Sequence, residues 1–311
     1  MRTLKKQKKR FKLWHKLVLM IIFILLIVLM IVSYALFNFA FGKNGFSSQI
    51  YTPAGKTTQW YDDQKTTTWN QTSYDGKHLK AHFIPAAQKT NKTMVVVHGY
   101  GGSARKMSVY LKMFHDQGYN VLAPDNRSYG DSGGQYSGFG WQDRKDVLKW
   151  INILNKKQPN SEIGMYGISM GASTVLYTLN KVPSNVKFAV ADCGYATISG
   201  ELKTQLEQKF KLPSFPLLQI TDQFTKYLAG YKFTDANTKD TLKNNHVPLF
   251  IIHGKDDDFV PVKNAYTNYN NDDNSKKQLW IVDGAEHAQS YIKQPVQYKD
   301  KVGQFANKYF K

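Results

Sequence analysis

The chain has one cysteine, Cys193, in 311 residues. An intrachain disulfide is therefore excluded. No closely spaced set of Cys and His has zinc-ligand spacing, and no basic-aromatic motif marks a nucleic-acid module. Gly-x-Gly-x-x-Gly and P-loop patterns are both missing, so neither common phosphate cradle is present and no metal or organic cofactor is implied. Internal repeats and low-complexity stretches are absent from the body of the chain. Acidic residues are scarce: 23 Asp and Glu stand against 42 Lys and Arg, for a net charge of +19. Such a balance favours anionic surfaces. Without a nucleic-acid motif, an anionic lipid surface or cell envelope is the better partner, and a charge that serves solubility alone is the other reading. What remains is 42% hydrophobic and 21% charged, a globular composition in a chain long enough to bury a sizeable core.

The charge is concentrated at one end. Residues 1–16, "MRTLKKQKKRFKLWHK", hold eight Lys and Arg and no acidic residue. Leu17 to Phe41 follow, 25 residues without a charge. A bilayer core needs about 20 apolar residues in a helix. The reading is a basic cytoplasmic tail (1–16), then a transmembrane signal anchor (17–41), with the rest of the chain outside the cytoplasm. The rival is a cleaved signal peptide, for which "SYA" at Ser33–Ala35 is a passable site. In that case the protein is secreted. Residues 42–64 are polar, rich in Gly, Ser and Thr, and read as a linker.

The remainder, 65–311, alternates short apolar runs with helical patterns. Two β-rich runs flank Asp75-Gly76, a hairpin turn pair. Six further runs begin "MVVVHG" (Met94), "YNVLAPD" (Tyr119), "EIGMYGIS" (Glu162), "FAVADCGY" (Phe188), "PLFIIHG" (Pro248) and "QLWIVDG" (Gln278). Near-continuous apolar strands separated by helices give an α/β fold, a mostly parallel sheet covered on both faces. The interval from about 196 to 246 is too long for a simple crossover and predicts a small helical cap. Within it Leu217, Ile220, Phe224 and Leu228 share one helical face, so they either contact an apolar substrate or pack on the domain.

"YGISMGAS" runs from Tyr166 to Ser173. The strand before it ends at Ser169, and the helix after it starts at once. A turn that sharp strains the serine backbone and brings strand and helix together, so side chains at positions 167 and 171 would collide. Glycine at both removes the Cβ, and the serine hydroxyl is lifted above the sheet. A lone hydroxyl is a weak nucleophile; it needs a base, and the base an orienting carboxylate. "HGKDDDFVP" and "DGAEHAQSY" follow two later strands and supply an acid and then His287, in the order Ser, acid, His.

These motifs resemble the α/β-hydrolase superfamily. The likeness is closest to membrane-anchored serine hydrolases related to monoacylglycerol lipases and serine aminopeptidases. "HGYGGS", "DNRSYGDSGG", "GISMGAS", "HGKDDDFVP" and "GAEHAQSY" match in order over about residues 65–311. The resemblance implies the α/β-hydrolase fold and a triad of Ser169, Asp257 and His287, with Asp192 as the other place for the acid. It puts oxyanion donors on the backbone N–H groups of Tyr100 and Met170. His98 is expected to be structural, Asp125 and Arg127 to brace their loop, and Cys193 to pack in the core. Ser128 and Tyr129 depart from the commoner Gly-His of that loop. The implied activity is hydrolysis of a small-molecule or lipid-like ester through an acyl-enzyme. A peptidase, an acyltransferase and a non-catalytic scaffold remain as alternatives on the same fold.

Overall fold

Each of the six apolar runs forms a strand of five to seven residues, and the two runs around Asp75-Gly76 form a more polar pair of strands, as the computed structural model shows for residues 2–43, 45 and 55–310. The strands are β1 (Thr67–Thr72), β2 (His78–Ile84), β3 (Lys92–Val97), β4 (Asn120–Pro124), β5 (Glu162–Ile168), β6 (Val186–Asp192), β7 (Leu249–Gly254) and β8 (Lys277–Val282). They make one sheet in the order β1-β2-β4-β3-β5-β6-β7-β8. β1 and β2 are antiparallel, joined by the loop 73–77, where Gly76 takes a φ of 80°. From β4 to β8 every pairing is parallel.

The parallel strands β3 to β7 are buried on both faces, and the edge strand β8 is half-buried. In β3, Met94 and Val96 join one core, and Val95 and Val97 join the other. Helices α3 (Ser108–Asp116) and α11 (Pro295–Tyr309) close the first with Leu111, Phe114, Tyr298 and Phe305. Helices α4 (Asp143–Lys157) and α5 (Met170–Thr178) close the second with Trp150, Leu154, Val175 and Leu176. Short helices α9 (Lys263–Asn271) and α10 (Ser290–Lys293) complete the layers.

The interval 196–246 holds α6 (Ile198–Gln208), α7 (Leu217–Phe224) and α8 (Thr238–Leu242). Only α6, α7 and the turns up to Asp235 stand above the sheet. α8 packs against α5, and its Leu242 is fully buried in the second core, so the cap is smaller than its sequence interval.

The amino-terminal helix differs most from expectation. It runs unbroken as α1 from Arg2 to Phe41, 40 residues and about 60 Å long, so the basic segment is helical from Arg2. The apolar side chains from Leu17 to Ile31 are exposed, apart from a few that are half-buried. The last turns are not. Ser33, Phe37 and Phe41, spaced four apart on one face, are completely buried. Phe37 packs on Tyr136 and Phe224; Phe41 packs on Phe139 and Phe233. Ser33 Oγ donates to the Leu217 carbonyl at 3.5 Å, and Ser137 N–H to the Phe41 carbonyl at 2.7 Å. Of the segment read as a linker, Asn44 and residues 46–54 lie outside the described residues. Gly55–Asp62 form helix α2, which lies on α3 with Tyr61 in the first core.

Candidate active site

Ser169 sits between β5 and α5 with φ 54° and ψ −121°, a region that non-glycine residues avoid. A Cβ on Gly167 would stand 2.2 Å from the Gly171 carbonyl oxygen, and one on Gly171 would stand 2.1 Å from the Val97 carbonyl oxygen. Neither can be relieved by rotating a side chain, so both positions require glycine, as the turn predicted. Ser169 N–H donates to the Asp192 carbonyl at 2.8 Å, which ties the turn to the neighbouring strand.

The strand order then brings the partners together. β5 lies between β3 and β6, and β7 and β8 follow outward from β6, so the loops after β7 and β8 can arch back over the Ser169 turn. Ser169 Oγ and His287 Nε2 are 2.9 Å apart, and His287 Nδ1 is 2.8 Å from Asp257 Oδ2. Asp257 is buried. Burial alone would raise its pKa, but hydrogen bonds from His253 and His287, and the fields of both rings, hold it down at about 2. An ionised carboxylate only accepts, so His287 Nδ1 carries the proton. Its Nε2 is then free to accept from the Ser169 hydroxyl.

The other face of the Asp257 carboxylate is equally constrained. Oδ1 accepts from the N–H groups of Phe259 (3.0 Å) and Val260 (2.8 Å). His253, completely buried, places Nε2 at 3.3 Å from Oδ2 and 2.8 Å from the Val260 carbonyl. Both neighbours are acceptors, so His253 Nε2 carries a proton. Its position four residues before Asp257 was the available signal, and sequence reasoning missed it. Asp192 is engaged elsewhere: the Tyr298 hydroxyl donates to it at 2.7 Å and the Ser290 hydroxyl at 3.3 Å. Burial raises its pKa to about 6 against those hydrogen bonds.

The loop after β3 is braced from behind. Asn126 N–H donates to His98 Nε2 at 2.9 Å, so His98 Nδ1 carries the proton and donates to the Gly99 carbonyl at 2.7 Å. Burial pushes the His98 pKa down, consistent with that neutral ring. Asp125 accepts from the N–H groups of Ala104 (2.6 Å) and Asp131 (2.8 Å). Arg127 forms a two-pronged pair with Asp146 (2.8 and 3.0 Å) and also bonds Asp75 and Gln142. His98 and Asp125 hold this loop, and Asp125 and Arg127 brace their own loop after β4, as read from sequence. Tyr129 fills the departing position with a buried ring against His98 and Tyr100. Cys193 is buried, and desolvation pushes its thiol well above the ordinary value. Its sulfur comes within 4.8 Å of Asp257 and His287 ligand atoms, but a protonated thiol is a poor metal ligand.

Two cavities meet at Ser169. The smaller, about 40 Å³, is lined by Gly99, Gly102, Met107 and His287. The larger is about 490 Å³, within the size range of small-molecule sites. Tyr100 and Met170, the expected oxyanion residues, border it beside Ser169. Leu202, Leu206 and Leu218 line it from the cap, and Leu36, Phe39, Ala40 and Phe41 line it from α1. Leu217, Ile220, Phe224 and Leu228, expected on the substrate side, do not line it. The apolar stripe of α7 is turned toward α1 instead, with Phe224 against Tyr34 and Phe37, and α7 reaches the cavity through Leu218 and Thr221. Glu201 is the cavity's only carboxyl among the described residues and was not anticipated from sequence. Its Oε1 accepts from Gln205 at 2.8 Å, and its buried Oε2 has no partner. Burial, against the Gln205 hydrogen bond, raises its pKa to about 8.

Residues 88–232 match the family model described as "Serine aminopeptidase, S33". The chain is 32% identical over 247 residues to the uncharacterized protein YqkD of Bacillus subtilis, covering 79% of this chain and 80% of the relative. It is 23% identical over 230 residues to the uncharacterized protein YfhR of Escherichia coli, covering 71% and 72%. An esterase structure from Pyrococcus furiosus superposes with a TM-score of 0.67 at 25% identity, covering 84% of this chain and 96% of that one.

Proposed function

The chain belongs to the α/β-hydrolase superfamily, and on that premise we propose that it is a serine hydrolase of carboxylic esters. The observation that carries this reading is the Ser169–His287–Asp257 relay at the wall of an apolar cavity. Ser169 Oγ attacks the acyl carbon while His287 Nε2 takes its proton. The oxyanion is met by the backbone N–H groups of Tyr100 and Met170. The tetrahedral adduct collapses, the C–O bond to the alcohol breaks, and His287 returns the proton to the leaving oxygen. Water, deprotonated by the same nitrogen, then releases the acid. The acyl chain takes the larger cavity and the alcohol takes the smaller one. The esterase among the solved relatives agrees with this substrate class.

The family description also names an aminopeptidase. A free amino terminus calls for a fixed anion. The only carboxyl of the large cavity among the described residues, Glu201, is held neutral at pH 7 by burial, which favours the ester. Fluorophosphonate labelling of the full chain tests the proposal. Covalent modification of Ser169 is expected, and an unlabelled protein that also fails to turn over esters rejects it in favour of a scaffold.

Glu201 makes the binding step pH-dependent. Its raised pKa means it is neutral below about 8 and charged above. Ionisation puts a negative charge into an apolar cavity. The KM for an apolar ester is therefore expected to rise as pH passes 8, and Glu201→Gln to remove that rise. KM measured on both sides of pH 8 for both proteins decides it.

Helix α1 is long and apolar enough to cross a membrane, a property shared by anchors and signal sequences. The proposed topology is an uncleaved anchor with its basic end in the cytoplasm, since each Lys or Arg favours an anionic surface by about 1 kcal/mol. Protease added to spheroplasts is then expected to digest the catalytic domain. A protected domain contradicts the topology, and a soluble product starting near Leu36 shows cleavage at "SYA".

A further inference from the structure

We infer that the last turns of α1 are a working wall of the acyl pocket, and that the pocket takes its substrate sideways from the outer leaflet of the bilayer in which α1 stands. The substrate class is then a membrane-resident ester of a long-chain fatty acid. This rests on Ser169 being the nucleophile.

Three observations carry it. First, α1 contributes to the cavity that reaches Ser169: Leu36, Phe39, Ala40 and Phe41 all line it. The helix is held there by the three buried residues Ser33, Phe37 and Phe41, and by the Tyr100 hydroxyl, which donates to the Ala40 carbonyl at 2.5 Å. Tyr100 belongs to the loop beside the nucleophile, so anchor and reaction centre share a hydrogen bond. A helix that served only as a tether would need none of these contacts.

Second, length sets the depth. If Leu17, just past the last basic residue, marks the inner edge of the hydrocarbon core, about 20 residues at 1.5 Å each bring the outer edge to Leu36. The turns that line the pocket therefore lie at the outer boundary of the core. The cap elements packed on them lie at the same level.

Third, the rim is apolar and exposed where the two meet. Among the lining residues, Phe39 of α1 (37% exposed) and Phe210 beyond α6 (45% exposed) contact each other edge to face at 5.5 Å. Phe215 and Tyr227, on either side of α7, are more than 70% exposed. Large aromatic side chains left open in water are costly, whereas the headgroup boundary of a bilayer accommodates them. Along α1 the exposed Tyr34 and Ala35 link this rim to the exposed apolar side chains between Leu17 and Ile31, an apolar surface suited to lipid. An acyl chain can then pass beside Phe39 into the cavity without crossing water. Lys209, exposed at the same rim, faces the headgroup level.

The test uses the full chain in phosphatidylcholine–phosphatidylglycerol vesicles, with a palmitoyl ester in the bilayer and a butyryl ester in the water. Ala40→Trp fills the α1 side of the cavity. The ratio of palmitoyl to butyryl kcat/KM is expected to fall by about tenfold or more, the range set by lost apolar pocket contacts. Ile24→Ala, on the exposed mid-helix surface, is expected to leave the ratio unchanged. The palmitoyl rate is expected to follow the mole fraction of ester in the bilayer at fixed bulk concentration. An unchanged ratio in Ala40→Trp, or a rate that follows bulk concentration alone, overturns the inference. Should Ala40→Trp fail to fold, a photoreactive benzoylphenylalanine in place of Tyr34 reports docking directly. Capture of the α7 peptide supports the inference, and capture of lipid alone overturns it. Fluorophosphonate labelling of the wild-type chain, run in parallel, separates the two claims: its failure rejects the nucleophile, whereas labelling with an unchanged ratio rejects only the wall.

Discussion

Ser169→Ala is expected to lower kcat on ester substrates by on the order of 10⁶-fold, as loss of a triad nucleophile does in other serine hydrolases. The change removes one oxygen, the one that stands 2.9 Å from His287 Nε2. It leaves the Cβ that the turn already accommodates at φ 54°, and the Ser169 N–H bond to the Asp192 carbonyl is a backbone interaction that persists. Thermal unfolding of the variant is therefore expected to match the wild type within a few degrees. Residual turnover about 10³–10⁴-fold above the uncatalysed rate is expected from the oxyanion donors and the cavity. Undiminished fluorophosphonate labelling of Ser169→Ala, or a loss of activity explained by a collapsed melting transition, would count against the nucleophile.

Local chemistry decides how much of this was legible beforehand. The sheet was readable because each parallel strand is a near-continuous apolar run, and burial on both faces leaves that mark in sequence. The turn at Ser169 was readable because only glycine fits at 167 and 171, and the clashing atoms belong to the turn itself and the adjoining strand β3. His287 was readable from its order and place. What stayed hidden depends on contacts between distant segments. The apolar stripe of α7 has helical spacing whichever way it faces. Only the docking of Ser33, Phe37 and Phe41 turns it toward α1 and leaves Leu218 and Thr221 to the cavity. The same docking was masked in α1, because its apolar segment is apolar on every face and the buried face carries no separate pattern. Glu201 lies in an ordinary amphipathic helix; its raised pKa comes from burial at the wall of a cavity built by several distant segments.

Asp257→Asn is expected to lower kcat by about 10⁴-fold, the cost of losing an orienting aspartate in a comparable triad. The size follows from which way the new amide must point. At the Oδ1 position, Phe259 and Val260 both present N–H donors, at 3.0 and 2.8 Å. The asparagine oxygen has to occupy that position, because an NH₂ group there would face two donors. The amide nitrogen is then placed at the Oδ2 position, 2.8 Å from His287 Nδ1 and 3.3 Å from His253 Nε2. A donor facing Nδ1 forces the imidazole proton onto Nε2. That nitrogen then donates to Ser169 Oγ instead of accepting from it, and the nucleophile loses its base. Asp192→Asn has no such consequence. Its carboxylate accepts from the Tyr298 and Ser290 hydroxyls, and the amide oxygen can keep the shorter of those bonds while the imidazole is untouched. Its kcat is expected to stay within about tenfold of wild type, the energy of roughly one hydrogen bond. The two variants, assayed side by side for kcat on one ester, decide the assignment. A severe loss in Asp192→Asn with a mild one in Asp257→Asn would move the orienting acid to the end of β6.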